Sequence, residues 1–183
     1  MRVTGHPLTL IFRTVLLATL LVGLSSQNVV AQEAASPESV KQIALTEAQV
    51  DDFIAAQKEV GPIVAKAPEG DQPDPKVMEQ LEAVAKKHNF ANYDEYDDVA
   101  ENIALVMGGI DPDTKKYVGA EAAIKKEIAS IDSEKAAPND KKAQLDELQA
   151  ELREPVEQVK FPGNMDLVVK NYDKLIASMP PTQ

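Results

Sequence analysis

Apolar residues recur every three or four positions along most of the chain, the spacing that one buried face of an α-helix produces. Such stripes cover residues 50–64, 77–85, 96–107, 117–131, 145–152 and 167–176. No window alternates apolar and polar residues for long enough to indicate a strand. The pattern predicts an all-α fold, with five or six short to medium helices in a small bundle of helical hairpins.

Capping residues and prolines mark the predicted ends of the first three helices. Thr46 and Gln49 form a capping box ahead of the first helix, and Asn92–Glu95 forms another ahead of the third. Asp74-Pro75 begins the second helix, and Asn89 is predicted to end it by adopting the left-handed backbone conformation. Pro62 predicts that the first helix kinks or ends at that point, because proline removes a backbone hydrogen bond.

The same signals organise the second half of the chain. Gly108-Gly109 ends the third helix, and Asp111-Pro112 is predicted to begin the fourth. The stripes at 117–131 and 145–152 are predicted to pair as a helical hairpin, with a last helix capped by Asn164 docking back. The stripe at 117–131 would pack equally well on a second copy, so the sequence leaves the oligomeric state open.

The first thirty-one residues have the pattern of a secretory signal peptide. Arg2 precedes a short apolar core at residues 15–24, and Val29-Val30-Ala31 places small residues before a cleavage point after Ala31. A membrane anchor is the alternative, but this core is short of the roughly 20 residues that span a bilayer, and Arg13 interrupts any longer run.

The sequence therefore divides into a signal peptide at 1–31, a flexible leader at 32–44 and a single helical domain at 45–183. The predicted location is the bacterial periplasm or the extracellular space. The chain has no cysteine, so it is expected to fold by packing without disulfides and to carry no lipid anchor of the lipoprotein type.

Charge excludes two classes of partner. Cleavage would remove Arg2 and Arg13 but no acidic residue, so the net charge would fall from −11 to −13. A chain this acidic is repelled by nucleic acid and by anionic lipid, so no nucleic acid partner and no membrane insertion after cleavage are expected. After cleavage, Arg153 would be the one arginine available to bind phosphate.

The densest group of carboxylates lies in residues 92–102. On a helical wheel Asp94, Asp97, Asp98 and Glu101 cluster opposite the apolar stripe, which is the pattern of a solvated helix face. The four are weak candidates for divalent cations. The sequence does not otherwise indicate a metal site there.

Asp111 and Asp113 are two further weak metal candidates, for calcium. The segment has proline at its second place and lacks the glycine and later acid of a calcium loop, whereas a helix N-cap explains it fully. With one histidine after residue 31 and no cysteine, the chain has too few ligands for a dedicated zinc or copper site. No cofactor is predicted.

Catalytic signals are weak. His88 titrates near neutrality, but it lies at a predicted helix end, where a charged imidazole stabilises the terminus. No serine lies in a nucleophile elbow, and no carboxylate is singled out by an apolar setting. The chain is therefore not expected to be an enzyme. Tyr93, at the boundary of an apolar face, is the aromatic residue that could border a groove.

Part of the chain resembles a known group of proteins. The matching residues are Leu45, Thr46, Val50, Phe53, Ala56, Asn89, Phe90, Tyr96, Val99, Asn102 and Ile103. This pattern, within about residues 45–107, resembles small exported bacterial all-helical domains of unassigned function. The resemblance implies an exported helical domain, and it offers no catalytic residue.

The sequence favours a non-enzymatic exported helical protein that binds another protein, with a chaperone-like or envelope-maintenance role in the periplasm. A protein that binds a small ligand or a divalent cation is the alternative from another class. An enzyme would need His88 or a buried carboxylate in a cleft.

Overall fold

The computed structural model describes residues 39–67, 74–133, 138–153 and 155–179. The elements in these ranges are α1 Glu47–Val64, α2 Pro75–Lys87, α3 Tyr93–Met107, β1 Ile110–Asp111, β2 Lys116–Tyr117, α4 Ala120–Ser133, α5 Pro138–Glu151 and α6 Pro162–Ser178. The predicted all-α class is confirmed, and the described ranges hold six helices.

The main core lies between α1, α2, α3 and α6. Phe53, Val99, Ile103, Val168 and Leu175 have no exposed surface, because the apolar stripes of four helices converge on one interior. Burying each such side chain stabilises the fold by about 1.5–3 kcal/mol. The last helix docks back as predicted, mainly against α1 and α3.

Tyr96 is the centre of an aromatic cluster in this core. Its ring stacks on Phe53 and Tyr93 and meets Phe90 edge-on, each at a centroid distance of 5.5 Å. Its hydroxyl donates to Gln57 Oε1 at 2.8 Å, which satisfies the polar end of a buried ring. The cluster joins α1, α3 and the turn between α2 and α3.

A second, smaller core confirms the predicted helical hairpin. Ile124, Ile131 and Leu148 are buried between α4 and α5. Ile128, Leu145 and Leu152 pack against them. This cluster is separate from the main core, so the α4–α5 hairpin has an interior of its own.

Three predicted caps are confirmed. Thr46 and Gln49 form a complete capping box, and Asp74 accepts a hydrogen bond from the Lys76 N–H at 2.8 Å. Asn89 has a φ of 66°, and the Phe90 N–H bonds the Ala85 carbonyl at 3.0 Å. That bond is the Schellman closure of α2, which turns Phe90 into the core.

The ends of α1 and α3 differ in detail from prediction. Pro62 lies within the last turn of α1, which continues two residues further and ends at Val64. Val64 is 47% exposed, so it does not extend the buried stripe. Asn92 caps α3 as predicted and accepts from the Glu95 N–H at 2.9 Å. The Glu95 carboxylate, however, accepts from the Ala91 N–H at 2.7 Å, one residue before its predicted partner at Asn92.

The prediction that Asp111-Pro112 begins a helix is wrong. The Asp111 side chain accepts from the Asp113 N–H at 3.1 Å and from Thr114 Oγ1 at 2.6 Å, which closes a turn. Short side chains that bond their own backbone in this way compete with helix formation. Lys115, at φ 55°, completes the turn, and α4 begins only at Ala120.

Tyr117 therefore lies in a strand and not in the helical stripe. Ile110 and Asp111 pair antiparallel with Tyr117 and Lys116, so the expectation of no strand is also wrong. Strands of two residues are too short to leave an alternating pattern in the sequence. The Tyr117 ring lies so close to Gly109 that a Cβ there would overlap it.

Asn164 does not cap the last helix, as the sequence predicted. Helix α6 begins two residues earlier at Pro162, after Phe161, whose side chain makes no capping bond. Asn164 is instead 2% exposed, and it accepts from the Leu45 N–H and donates to the Ile43 carbonyl, each at 2.8 Å. The Asn164 amide therefore bonds the backbone of the segment before α1, and it does not bond the backbone at the start of its own helix.

That segment, residues 39–45, is named here the N-terminal strap. The sequence predicts a flexible leader at 32–44, and residues 40–43 within it are hydrogen-bonded to the helical domain. Asn102, 1% exposed, accepts from the Ile43 N–H at 3.0 Å and donates to the Lys41 carbonyl at 2.9 Å. The Val40 N–H donates to Glu157 Oε2 at 3.0 Å. Residues 32–38 and the predicted signal peptide at 1–31 lie outside the described residues.

Replacement of Asn164 tests how firmly the strap is held. Asn164→Ala removes both amide bonds and leaves the buried Leu45 N–H without its acceptor, a loss of roughly 2–4 kcal/mol. Chemical denaturation should show a lower midpoint, and trypsin should cut after Lys41.

Asn171→Ala is the matched control, because Asn171 is equally buried on the same helix but donates to its own Leu167 carbonyl. It should lose only about 1 kcal/mol and keep Lys41 protected. An Asn164→Ala protein with the wild-type midpoint and an intact Lys41 would contradict this account.

Candidate functional site

The structure places the four predicted acids of α3 along one helix face. Asp94 and Asp97 are exposed, whereas Asp98 and Glu101 are half-buried. Asp98 pairs with Lys41 of the strap at 2.5 Å. The pKa of Asp97 is raised, because its neighbours displace hydration and because Asp98 and Asp94 add negative charge. Across the described ranges, no three His, Cys, Asp or Glu side chains form a group that could hold a metal ion.

Asp111 and Asp113, the other two metal candidates, are brought together around a lysine. Lys126 Nζ lies 2.5 Å from Asp111 Oδ2 and 3.6 Å from Asp113 Oδ2. Hydrogen bonds from Lys126, Thr114 and the Asp113 N–H lower the pKa of Asp111 to about 2. The Asp111 side chain is only 4% exposed, so this carboxylate forms a buried joint between β1 and α4.

His88 lies at the C-terminal end of α2, as predicted, and it is not alone. Its Nε2 is 3.0 Å from Glu59 Oε1, and Lys87 reaches the same carboxylate at 2.8 Å. These two partners, Lys87 first, lower the pKa of Glu59. The group fastens α2 to α1 and lines neither of the two pockets described next. Tyr93 also lines neither, so its predicted groove is not among them.

A partly enclosed concavity lies where the α4–α5 hairpin meets the main bundle, and it has a volume of about 340 Å³. It is named here the seam pocket. Its apolar lining is Ala104, Leu105, Met107, Gly108, Ile110, Pro112, Ala120, Ala123, Ile124, Pro155, Val156 and Tyr172. Its polar lining is Asp111, Asp113, Lys126, Glu127, Ser130, Glu151 and Glu157.

The seam pocket follows from the two-core architecture. The hairpin and the bundle bury their larger apolar residues in separate clusters, so the boundary between them is filled less completely. Small residues face each other there, with Ala104 and Gly108 at the end of α3 and Ala120 and Ala123 at the start of α4. The Asp111–Lys126 ion pair holds the two walls in place.

A wider groove lies on the other side of residues 156–157, with a volume of about 620 Å³. It is named here the side groove, and it is lined by Tyr117, Val118, Gly119, Ala120, Glu121, Ala122, Lys125, Val156, Glu157, Gln158, Val159 and Met165. Ala120, Val156 and Glu157 line both concavities. The two are therefore neighbours that share one ridge.

Sequence reasoning found only Asp111 and Asp113 among the residues of the seam pocket, and it assigned them another role. The sequence did indicate space beside the start of this helix, because four of the five residues in Gly119-Ala120-Glu121-Ala122-Ala123 have small side chains. Locating the pocket also required knowing that segment 155–157 passes beside α4, and no local pattern encodes that contact.

Comparison with protein-family models, with curated proteins and with solved structures finds no match to this chain. None of the described helices has the length and apolar character needed to cross a membrane.

The Asp111–Lys126 pair predicts a specific acid sensitivity. A carboxylate whose folded pKa is lowered from 3.8 to about 2 contributes stability above pH 4, and that contribution is lost as the pH falls towards 2. Lys126→Met removes the largest cause of the shift. The variant should melt lower at pH 7 and lose less further stability between pH 4 and 2 than the wild type.

Lys125→Met is the matched control, because Lys125 makes only an exposed pair with Glu121 one turn away. Its melting temperatures from pH 7 to pH 2 should follow the wild-type curve. If the Lys126→Met curve also ran parallel to wild type, the ion pair would not be what holds Asp111 charged.

Proposed function

We propose that this chain is a non-enzymatic exported protein that binds a segment of another protein in the seam pocket. The observation that carries the proposal is the pocket itself. Its volume of about 340 Å³, and a lining in which apolar residues outnumber polar ones, match the usual form of a binding site. A large apolar side chain of a partner would enter it.

The chemistry of the pocket favours binding over catalysis. A general acid or base works best when its pKa lies near the operating pH. Asp111 has its pKa lowered to about 2 and is committed to Lys126, Thr114 and its own turn. His88 is hydrogen-bonded to Glu59 and lies away from this pocket.

The proposed place of action is the bacterial periplasm or the extracellular space, after cleavage behind Ala31. The signal-peptide pattern and the resemblance to exported helical domains support this location. A chaperone-like role in envelope maintenance fits it, because an acidic surface keeps such a protein soluble while its apolar pocket holds an unfolded client. The measured mass of the mature protein should match a chain that begins at Gln32.

A small-ligand binder is the second candidate, and the enclosure of the seam pocket favours it. A volume of about 340 Å³ lies at the lower end of the range for sites that bury a whole small molecule. The cation version relies instead on the exposed acids of α3. Native mass spectrometry of protein purified without stripping would show bound mass in either case and a bare chain otherwise.

Occluding the pocket should weaken client binding. A disulfide-bonded client that aggregates when reduced is a suitable substrate, because this chain has no cysteine and is untouched by the reductant. Ala123→Trp places a large ring in the seam pocket. About tenfold more of this variant should be needed to slow aggregation, the equivalent of about 1.4 kcal/mol.

Ala129→Trp is the matched control, because Ala129 is exposed on α4 and lines neither pocket. Both variants must first melt as cooperatively as the wild type. Wild-type protein that never slows aggregation, or equal protection by both tryptophan variants, would overturn the protein-binding proposal. Bound mass that is lost in Ala123→Trp alone would then favour a small ligand.

A further inference from the structure

The charge around the seam pocket points to the chemistry of its partner. Five carboxylates and one lysine line the pocket, whereas the whole chain has 30 acidic and 19 basic residues. The lining is therefore more acidic than the protein as a whole. The single lysine, Lys126, already has Asp111 at 2.5 Å and Asp113 at 3.6 Å.

Glu157 keeps a negative charge at the ridge shared by the two concavities. Its carboxylate accepts hydrogen bonds from the Val40 N–H at 3.0 Å and from Gln42 Nε2 at 2.8 Å. Both donors are neutral, so they orient the carboxylate without cancelling its charge. A cation bound beside this ridge would be attracted from both the pocket and the groove.

The shape of the site favours an elongated partner. The seam pocket and the side groove lie next to each other and share the ridge at Val156 and Glu157. Val118 and Val156, which both line the side groove, are 44% and 38% exposed. Large apolar side chains exposed together mark an interaction surface, and a compact molecule would cover only one of the two concavities.

We propose that the occupant is an extended segment of a partner protein with apolar residues at alternate positions and lysine or arginine beside them. Alternate side chains of an extended chain project from the same face, about 7 Å apart, so two of them would enter neighbouring concavities. The basic residues would face the carboxylates that line the pocket. This inference rests on the proposed function and specifies its partner.

Three synthetic peptides test the inference, each with valine and phenylalanine two positions apart and with lysine, glutamate or serine as the remaining residues. Fluorescence anisotropy at low salt should show the lysine peptide binding at least about tenfold more tightly than the glutamate peptide. The preference should shrink at about 0.5 M salt, where screening shortens the reach of charge. Ala123→Trp should weaken binding of all three peptides.

A pair of double variants separates local from overall charge. Asp113→Asn with Glu127→Gln removes two negative charges from the pocket lining and should reduce the preference for lysine by about threefold or more. Asp94→Asn with Glu101→Gln removes the same charge from α3, outside both concavities, and should leave the preference unchanged. Equal effects of the two pairs would overturn a local role for the pocket.

The remaining outcomes are also decisive. If the mature protein protects clients but shows no preference for the lysine peptide, this inference fails and the proposed function stands. If client protection itself is absent, the proposed function fails first. Phenethylamine that displaces the lysine peptide at equal concentration would assign the site to a small cationic ligand. Peptide-sensitive dimers in sedimentation would assign it to a second copy of the chain.

Discussion

The placement of the Asp111 carboxylate is the constraint on which the two-core arrangement depends. This side chain accepts bonds from its own turn and from Lys126 on α4, so one buried charge fixes both the β-hairpin and the start of the helical hairpin. A buried carboxylate is tolerated only when such partners surround it. The seam pocket exists because this polar joint, and not a continuous apolar core, connects the two parts.

Much of the fold could be predicted from the sequence because it depends on local periodicity. The stripe of Val50, Phe53 and Val60 and the pair of cores follow from apolar spacing, and the Asn89 stop follows from the left-handed conformation that asparagine tolerates. The prediction of a helix start at Asp111 was wrong because an aspartate before proline is found both as a helix cap and in a turn. The surrounding hydrogen bonds decide between the two.

The candidate site could not be predicted, because its walls come from distant parts of the chain. Ala123 on α4 and Val156 in the final connection lie in one pocket through packing, and neither is unusual in its own neighbourhood. The roles of Asn102 and Asn164 could not be predicted from local sequence either. Each looks like an ordinary polar residue at a helix, whereas its buried amide holds a segment about 60 or 120 positions away in sequence.

The strap also has a consequence for the order in which the chain matures. The Leu45 N–H and the Asn164 side chain that accepts from it are separated by 119 positions, so the strap has no complete docking site until the last helix has been synthesised. Contacts of such long range form late, since a large loop must close first. The strap of a growing chain therefore stays undocked until the C-terminal helix has been synthesised and can bind it.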